Sequence, residues 1–315
     1  MDNLIFSINV VAPLFILLML GYLVKKTGII SQTFIFEANK FAFKILIPVL
    51  LFQKIRIAFT GEFANFNLMI VTIIISSIIL ILLLIIIPVF IKTRGRQGAM
   101  IQGIYRSNYV IFGIPMAVTM YGVDAAHSIA VLMGVVIPFY NITAVILLTF
   151  FNDNQKKIKA LDIVKDVFKN PFIIGCIAGG LFGFFEIHIP HIVDLPLSDI
   201  AKTATPFALF FAGADFKFRK INNNILPVLF ASFSRLIIVP VIAICIFIWL
   251  GFRNLELCVL LCIFASPTSV SSFVMAKNMG ADGELANQIV VVTTVSSSIT
   301  IFLLIFALRS LGYLG

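Results

Sequence analysis

The chain has 315 residues, 61% of them hydrophobic and 12% charged, with a net charge of +9. Ordinary soluble domains are about 45–50% apolar, so a soluble globular class is excluded, and continuous apolar runs exclude a β-barrel, whose strands alternate. The basic excess does not point to nucleic acid, because the positive charges fall in short loops between apolar stretches, as cytoplasmic loops require.

The N-terminus, Met-Asp-Asn, lacks a basic n-region, so the first apolar stretch reads as a retained span and not a cleaved signal peptide. Ten spans are expected, at 6–24, 34–53, 68–91, 99–121, 127–150, 171–186, 196–214, 225–250, 255–277 and 285–309. Leu68–Ile91 is the clearest, with no charge in it and more than the roughly 20 residues that cross a bilayer. Connections are short except for "FNDNQKKIKALDIVKDVFKN" at 151–170, where "LDIVKDVF" has the spacing of a short interfacial helix. This linker separates 1–150 from 171–315. Lysines and arginines sort unevenly between the two sides. Fourteen, among them Lys25, Lys92, Arg96, Lys157, Lys217 and Lys277, share the side of the linker, and four, Lys54, Arg56, Arg253 and Arg309, lie opposite. That bias makes the linker cytoplasmic and places both termini outside.

Five spans on either side of the linker mean that the halves enter the membrane in opposite senses, the layout of an inverted repeat. Gly-x-Asp recurs after spans 4 and 9, at Gly122/Asp124 and Gly280/Asp282. The expected fold is therefore all-α and polytopic, with ten transmembrane helices as an inverted 5+5 repeat.

Spans 4 and 9 each carry a helix breaker. In "SNYVIFGIPMAVTMYG", Pro115 lacks an amide hydrogen and crowds the carbonyl of Ile111, and Gly113 loosens the same turn. In "FASPTSVSSFVMAK", Pro267 frees the carbonyl of Ile263 amid Ser266, Thr268, Ser269, Ser271 and Ser272. A freed backbone group in hydrocarbon costs several kcal/mol unless protein, water or ligand supplies a partner. Paired interrupted helices point to a transporter site. Half-helix N-termini can hold a carboxylate, and the opposite ends offer carbonyls to a cation. Asn108 adds two donors and an acceptor near the break. Prolines at 13, 48, 88, 138, 206 and 240 read as ordinary kinks.

Arg106 reads equally as an anion-attracting charge or as a side chain snorkelling to the interface. Arg235 in span 8 leans to a structural or interface role. Gln53 and Asn141 are candidates for the substrate path or for interhelical hydrogen bonds. No carboxylate sits clearly at a span centre, which weakens a carboxylate proton relay. The hydroxyl runs "SPTSVSS" and "TTVSSS" offer neutral oxygens to Na⁺, or simply allow close helix packing. Cys176, Cys245, Cys258 and Cys262 all lie in spans and imply no disulfide framework. His188 and His191 are weak evidence for a metal. No His-Glu-x-x-His or Gly-x-Ser-x-Gly nucleophile motif supports an enzyme.

These residues carry a resemblance. "NYVIFGIP…MYG" (Asn108, Gly113, Pro115, Gly122) and "ASPTSVSSFVMAKNMG" (Pro267, Phe273, Ala276, Lys277) are similar to motifs of the auxin efflux carrier family, which includes bacterial malate and malonate carriers and plant PIN exporters. "KNP" at 169–171 looks like another family feature. The resemblance implies a scaffold domain and a mobile transport domain, as in sodium–bile acid symporters, with helices 4 and 9 crossing at Pro115 and Pro267. It implies that Asn108 contacts the substrate carboxylate and that Asn170 does likewise. The short linker resembles the bacterial branch. The expected activity is secondary transport of small organic anions, carboxylates such as malate, malonate or auxin-like acids. No cofactor is expected, and Na⁺ or H⁺ coupling is left open. The expected setting is a bacterial inner membrane, with a homodimer left open. The substrate site is expected to comprise Asn108, Gly113, Pro115, Pro267, Thr268, Ser269, Asn141, Asn170 and Arg106. A channel or a membrane receptor for a small ligand is the alternative.

Overall fold

The computed structural model describes residues 13, 16–59, 66–109, 117, 120–121, 123–152, 168–216 and 218–314. Among them the chain is helical, with no strand. Helix α1 covers 16–26. Helices α2 (Gln32–Phe41) and α3 (Ile47–Phe59) run on through a π-helical turn at Ala42–Leu46. Helix α4 is Phe66–Phe90, α5 is Arg94–Tyr105 and α6 is Val123–Phe150. After the linker come α7 (Pro171–Phe184) and α8 (His191–Asp215). Helices α9 (Phe218–Phe233) and α10 (Val239–Trp249) are joined by a second π turn at Ser234–Ile238. The last three are α11 (Asn254–Ala265), α12 (Val270–Asn278) and α13 (Gly283–Ser310).

Three helical stretches are long and apolar enough to cross a bilayer, Asn67–Phe90, Leu132–Phe150 and Asn224–Trp249, and a fourth counts if Gly283–Ser297 and Ile299–Ser310 form one span. Helix α4 is apolar on every side, with Ile74, Ile78, Ile81 and Ile85 exposed, so its outer surface is suited to acyl chains. Helices α5 and α11 are the opposite case. Every residue of α5 from Gln97 to Tyr105 and of α11 from Leu257 to Ala265 is buried. They form the centre of the molecule, and α13 packs against both.

Around this centre α3 packs on α7 and α8. Helices α1 and α8 meet backbone to backbone. A Cβ on Gly21 would lie 1.9 Å from the Phe210 carbonyl oxygen, and one on Gly213 would lie 1.9 Å from that of Leu18. Small residues permit such approach, on which helix association in lipid depends. Polar ties sit toward the helix ends. Arg56 and Gln53 both donate to Asp194 Oδ1, at 2.5 and 3.0 Å, joining α3 to α8. At the other end Lys277 pairs with Asp215, which also accepts from Gln32 at 2.8 Å. Glu37 and Lys40 form a surface pair at 3.8 Å.

Candidate functional site

Helices α5 and α11 are each 12 residues long, and each stops in extended backbone. At Arg106 φ/ψ is −88°/123°, and at Ser266 it is −63°/150°. The two breaks lie side by side and pair. Asn108 N–H donates to the Pro267 carbonyl at 2.8 Å, and Ser269 N–H donates to the Arg106 carbonyl at 3.3 Å. The result is an isolated antiparallel bridge between Ser107 and Thr268.

The break described in the first half therefore falls at Arg106–Asn108, upstream of the one expected from proline. Gly113 and Pro115 lie outside the described residues. A helix can stop without proline only if its last carbonyls find other donors, and here four consecutive ones do, following Gln102 O with its ordinary helical donor. Gln102 O accepts from Arg106 N at 3.1 Å, and Gly103 O accepts from Thr268 Oγ1 at 2.6 Å. Ile104 O and Tyr105 O accept from Arg235 Nη1 at 3.2 and 3.3 Å, and Arg106 O accepts from Ser269 N.

Arg235 serves the second break as well. Its Nη2 donates to Ile263 O at 3.1 Å and to Ser266 O at 2.7 Å, and its Nε donates to Ser266 O at 2.9 Å. Ser266 Oγ donates to Cys262 O at 2.5 Å. Thus the carbonyl freed by Pro267 goes to a guanidinium and not to the surrounding hydroxyls. Arg235 is wholly buried, on the π turn between α9 and α10. Its planar fork of donors reaches both C-termini at once, and its charge opposes the negative end of both helix dipoles.

Beside the bridge lies a cavity of about 270 Å³, lined by Arg106, Ser107, Asn108, Tyr109, Tyr140, Asn141, Ser269 and Ser271, and by α3 and α8 residues that include Lys54 and Lys202. That is slightly below the roughly 300–1,000 Å³ of pockets for drug-sized ligands, so the fitting ligand has few heavy atoms. Arg106 is 4% exposed, which rules out snorkelling. Its guanidinium donates to Asn141 Oδ1 and contacts Met275 Sδ at 2.7 Å. In the amide orientation that satisfies both atoms, Gln102 accepts from Arg106 Nη1 at 3.0 Å and donates to Ser272 O at 3.3 Å. Each of these partners is neutral.

Asn108 faces the cavity, and its side chain has no hydrogen-bond partner among the described residues. Ser107 Oγ is buried and likewise unpartnered there. Ser269 and Ser271 share a hydrogen bond at 2.8 Å at the start of α12, and with Val270 they line the same space.

The structure thus gathers Arg106, Asn108, Asn141 and Ser269 around one cavity. Pro267 contributes through its carbonyl to the bridge, and Thr268 locks α5 while its own N–H donates to Thr293 Oγ1 at 3.3 Å. Asn170 is not brought to the cavity. It caps α7, accepting from Phe172 N–H at 2.9 Å, with Pro171 following at the first helical position. Asn-Pro opening an apolar run is a local cap signal readable without any site. The residues that the sequence did not mark are Arg235, as a clamp on carbonyls, and Lys54. Among the described residues no group of three metal-ligating side chains forms a metal site, and His188 and His191 are not part of one.

A cavity beside two paired helix breaks, inside an apolar helical protein, is the setting of a membrane protein. The family of membrane transport proteins matches residues 6–305, and the chain belongs to that family, which includes the auxin efflux carriers. Among curated proteins it is similar to a Rhizobium meliloti (strain 1021) protein named "Putative malonate transporter", with 22% identity over 307 residues that cover 96% of each chain.

Proposed function

We propose that this protein is a secondary transporter of small organic anions, working by alternating access, with the anion held at the paired breaks. One observation carries the reading. Arg106 is buried at the cavity with neutral partners only among the described residues, and no carboxylate is among the lining residues. An unpaired buried charge is strongly unfavourable, so the site is completed by an anion. Asn108, Ser107, Ser269 and the α12 N-terminus supply the hydrogen bonds a carboxylate needs. The relative's name favours a short carboxylate such as malonate.

The same reading takes the ten expected spans as two inverted sets of five, of which α5 and α11 open the equivalent broken members. Helices α1, α3, α7 and α8 then form a scaffold, and the crossing belongs to the part that moves. Both termini lie outside, in a bacterial inner membrane.

The test is uptake of labelled malonate into proteoliposomes, with Na⁺ and H⁺ gradients imposed separately to identify the coupling ion. Wild-type protein is expected to show saturable uptake with counterflow, and Arg106→Gln to lower kcat/KM by roughly 10–100-fold, the value of a charge-assisted hydrogen bond. Asn108→Ala, which keeps the backbone bridge, is expected to lower it about tenfold at unchanged melting temperature. Uptake indifferent to both substitutions would place the anion elsewhere.

A further inference from the structure

The cavity has a second cation that no motif marks. Lys54 lies on α3 in register with Ile47, Leu50 and Leu51, so that one face of this helix forms a wall of the cavity. The lysine is half-buried and lies two turns along the helix from Ile47. It has no ion pair or hydrogen bond among the described residues. Its neighbours illustrate the difference. Arg56, two residues on, is neutralised by Asp194, and Lys202 across the cavity is paired with Asp199 at 3.1 Å in an exposed position. Lys54 alone of these three basic residues lacks a counterion among the described residues, and it lines the same cavity as Arg106.

We infer that Lys54 is a specificity-determining residue that receives the second charge of a dianion whose first carboxylate is held by Arg106 and Asn108. This rests on the proposed organic-anion site and adds to it the reason that a dicarboxylate is chosen over a monocarboxylate. A monoanion held at Arg106 leaves the Lys54 ammonium partly desolvated and unpaired, whereas a short dicarboxylate bridges both cations. Specificity of this kind comes from the group left without a partner by the wrong ligand. The four-carbon stem of lysine lets the ammonium follow carboxylates of slightly different length.

The experiment compares malonate and acetate as competitors and as ligands on the purified full-length chain. Lys54→Gln is expected to weaken malonate by roughly 10–100-fold and leave acetate within about twofold, so that the preference collapses. Lys54→Arg is expected to keep it. A Lys54→Gln protein that loses malonate and acetate equally would make Lys54 a general attractant of anions and overturn the inference. One that loses neither would overturn it too. Both results leave the organic-anion reading standing, whereas wild-type protein that binds neither carboxylate would remove that reading and the inference together. The melting temperature of each unliganded variant, expected to match wild type, separates altered recognition from altered folding.

Discussion

The two breaks have the same place in their halves and different chemistry. Each follows a 12-residue buried helix, and each contributes one donor and one acceptor to the bridge. The break after α11 is made by proline and hydroxyls, and its carbonyls are covered by Arg235 and by its own Ser266. The break after α5 contains no proline. It carries an arginine and an asparagine into the cavity and borrows its stability from the other half, through Thr268, Ser269 and Arg235. Under the proposed function the first break carries most of the recognising side chains, and the second chiefly supports it while adding Ser269. A shared layout fixes where backbone groups are exposed, and the side chains then divide the labour.

The comparison breaks most completely at Arg235, because this residue serves both sides. Arg235→Leu leaves four buried carbonyls without donors and is expected to cost at least about 3 kcal/mol. It should appear as a large fall in melting temperature in detergent and in the yield of monodisperse protein. Arg235→Lys keeps the charge but not the fork, and should recover only part of the loss.

The two residues at the bridge offer a sharper contrast. Thr268→Val removes the donor to Gly103 O and should cost about 1–3 kcal/mol. Ser107→Ala, directly opposite, removes a hydroxyl with no partner among the described residues, and should change stability by less than about 0.5 kcal/mol while reducing anion uptake. If both substitutions destabilised equally, the division into support and recognition would be wrong. A smaller loss than that of Thr268→Val belongs to Pro267→Ala. The proline ring makes no hydrogen bond, and the bridge uses only its carbonyl, so the expected loss is about 0.4–1 kcal/mol, measured by the same thermal unfolding.

Much of this architecture was legible. Apolar runs bounded by basic loops marked the helical stretches, and the helices at Phe66–Phe90, Val123–Phe150, Pro171–Phe184 and Gly283–Ser310 match expected spans within about four residues. In the second half, Pro267 marked the break correctly, because proline is a covalent signal. The described break in the first half carries no such signal. Its cause is four carbonyls held by three residues more than a hundred positions away, Thr268, Arg235 and Ser269, and main-chain acceptors leave no trace in composition. Arg235 was obscure for the same reason, since an arginine that binds only carbonyls has no acidic partner to suggest its role. Lys54 read as a topology charge at a helix end, because its lack of a counterion is a fact of three dimensions. Asn170 was drawn toward the site by resemblance, whereas its own tripeptide already described a helix cap.

The bridge between Ser107 and Thr268 has one more consequence. Pulling it apart within hydrocarbon would strand two N–H and two C=O groups, each costing several kcal/mol, far more than thermal energy supplies during a turnover. The two half-sites are in effect welded. Whatever slides, tilts or rocks in this protein, Arg106, Asn108 and Ser269 travel as one piece, and under the proposed function an anion would meet the same three contacts from either side of the membrane.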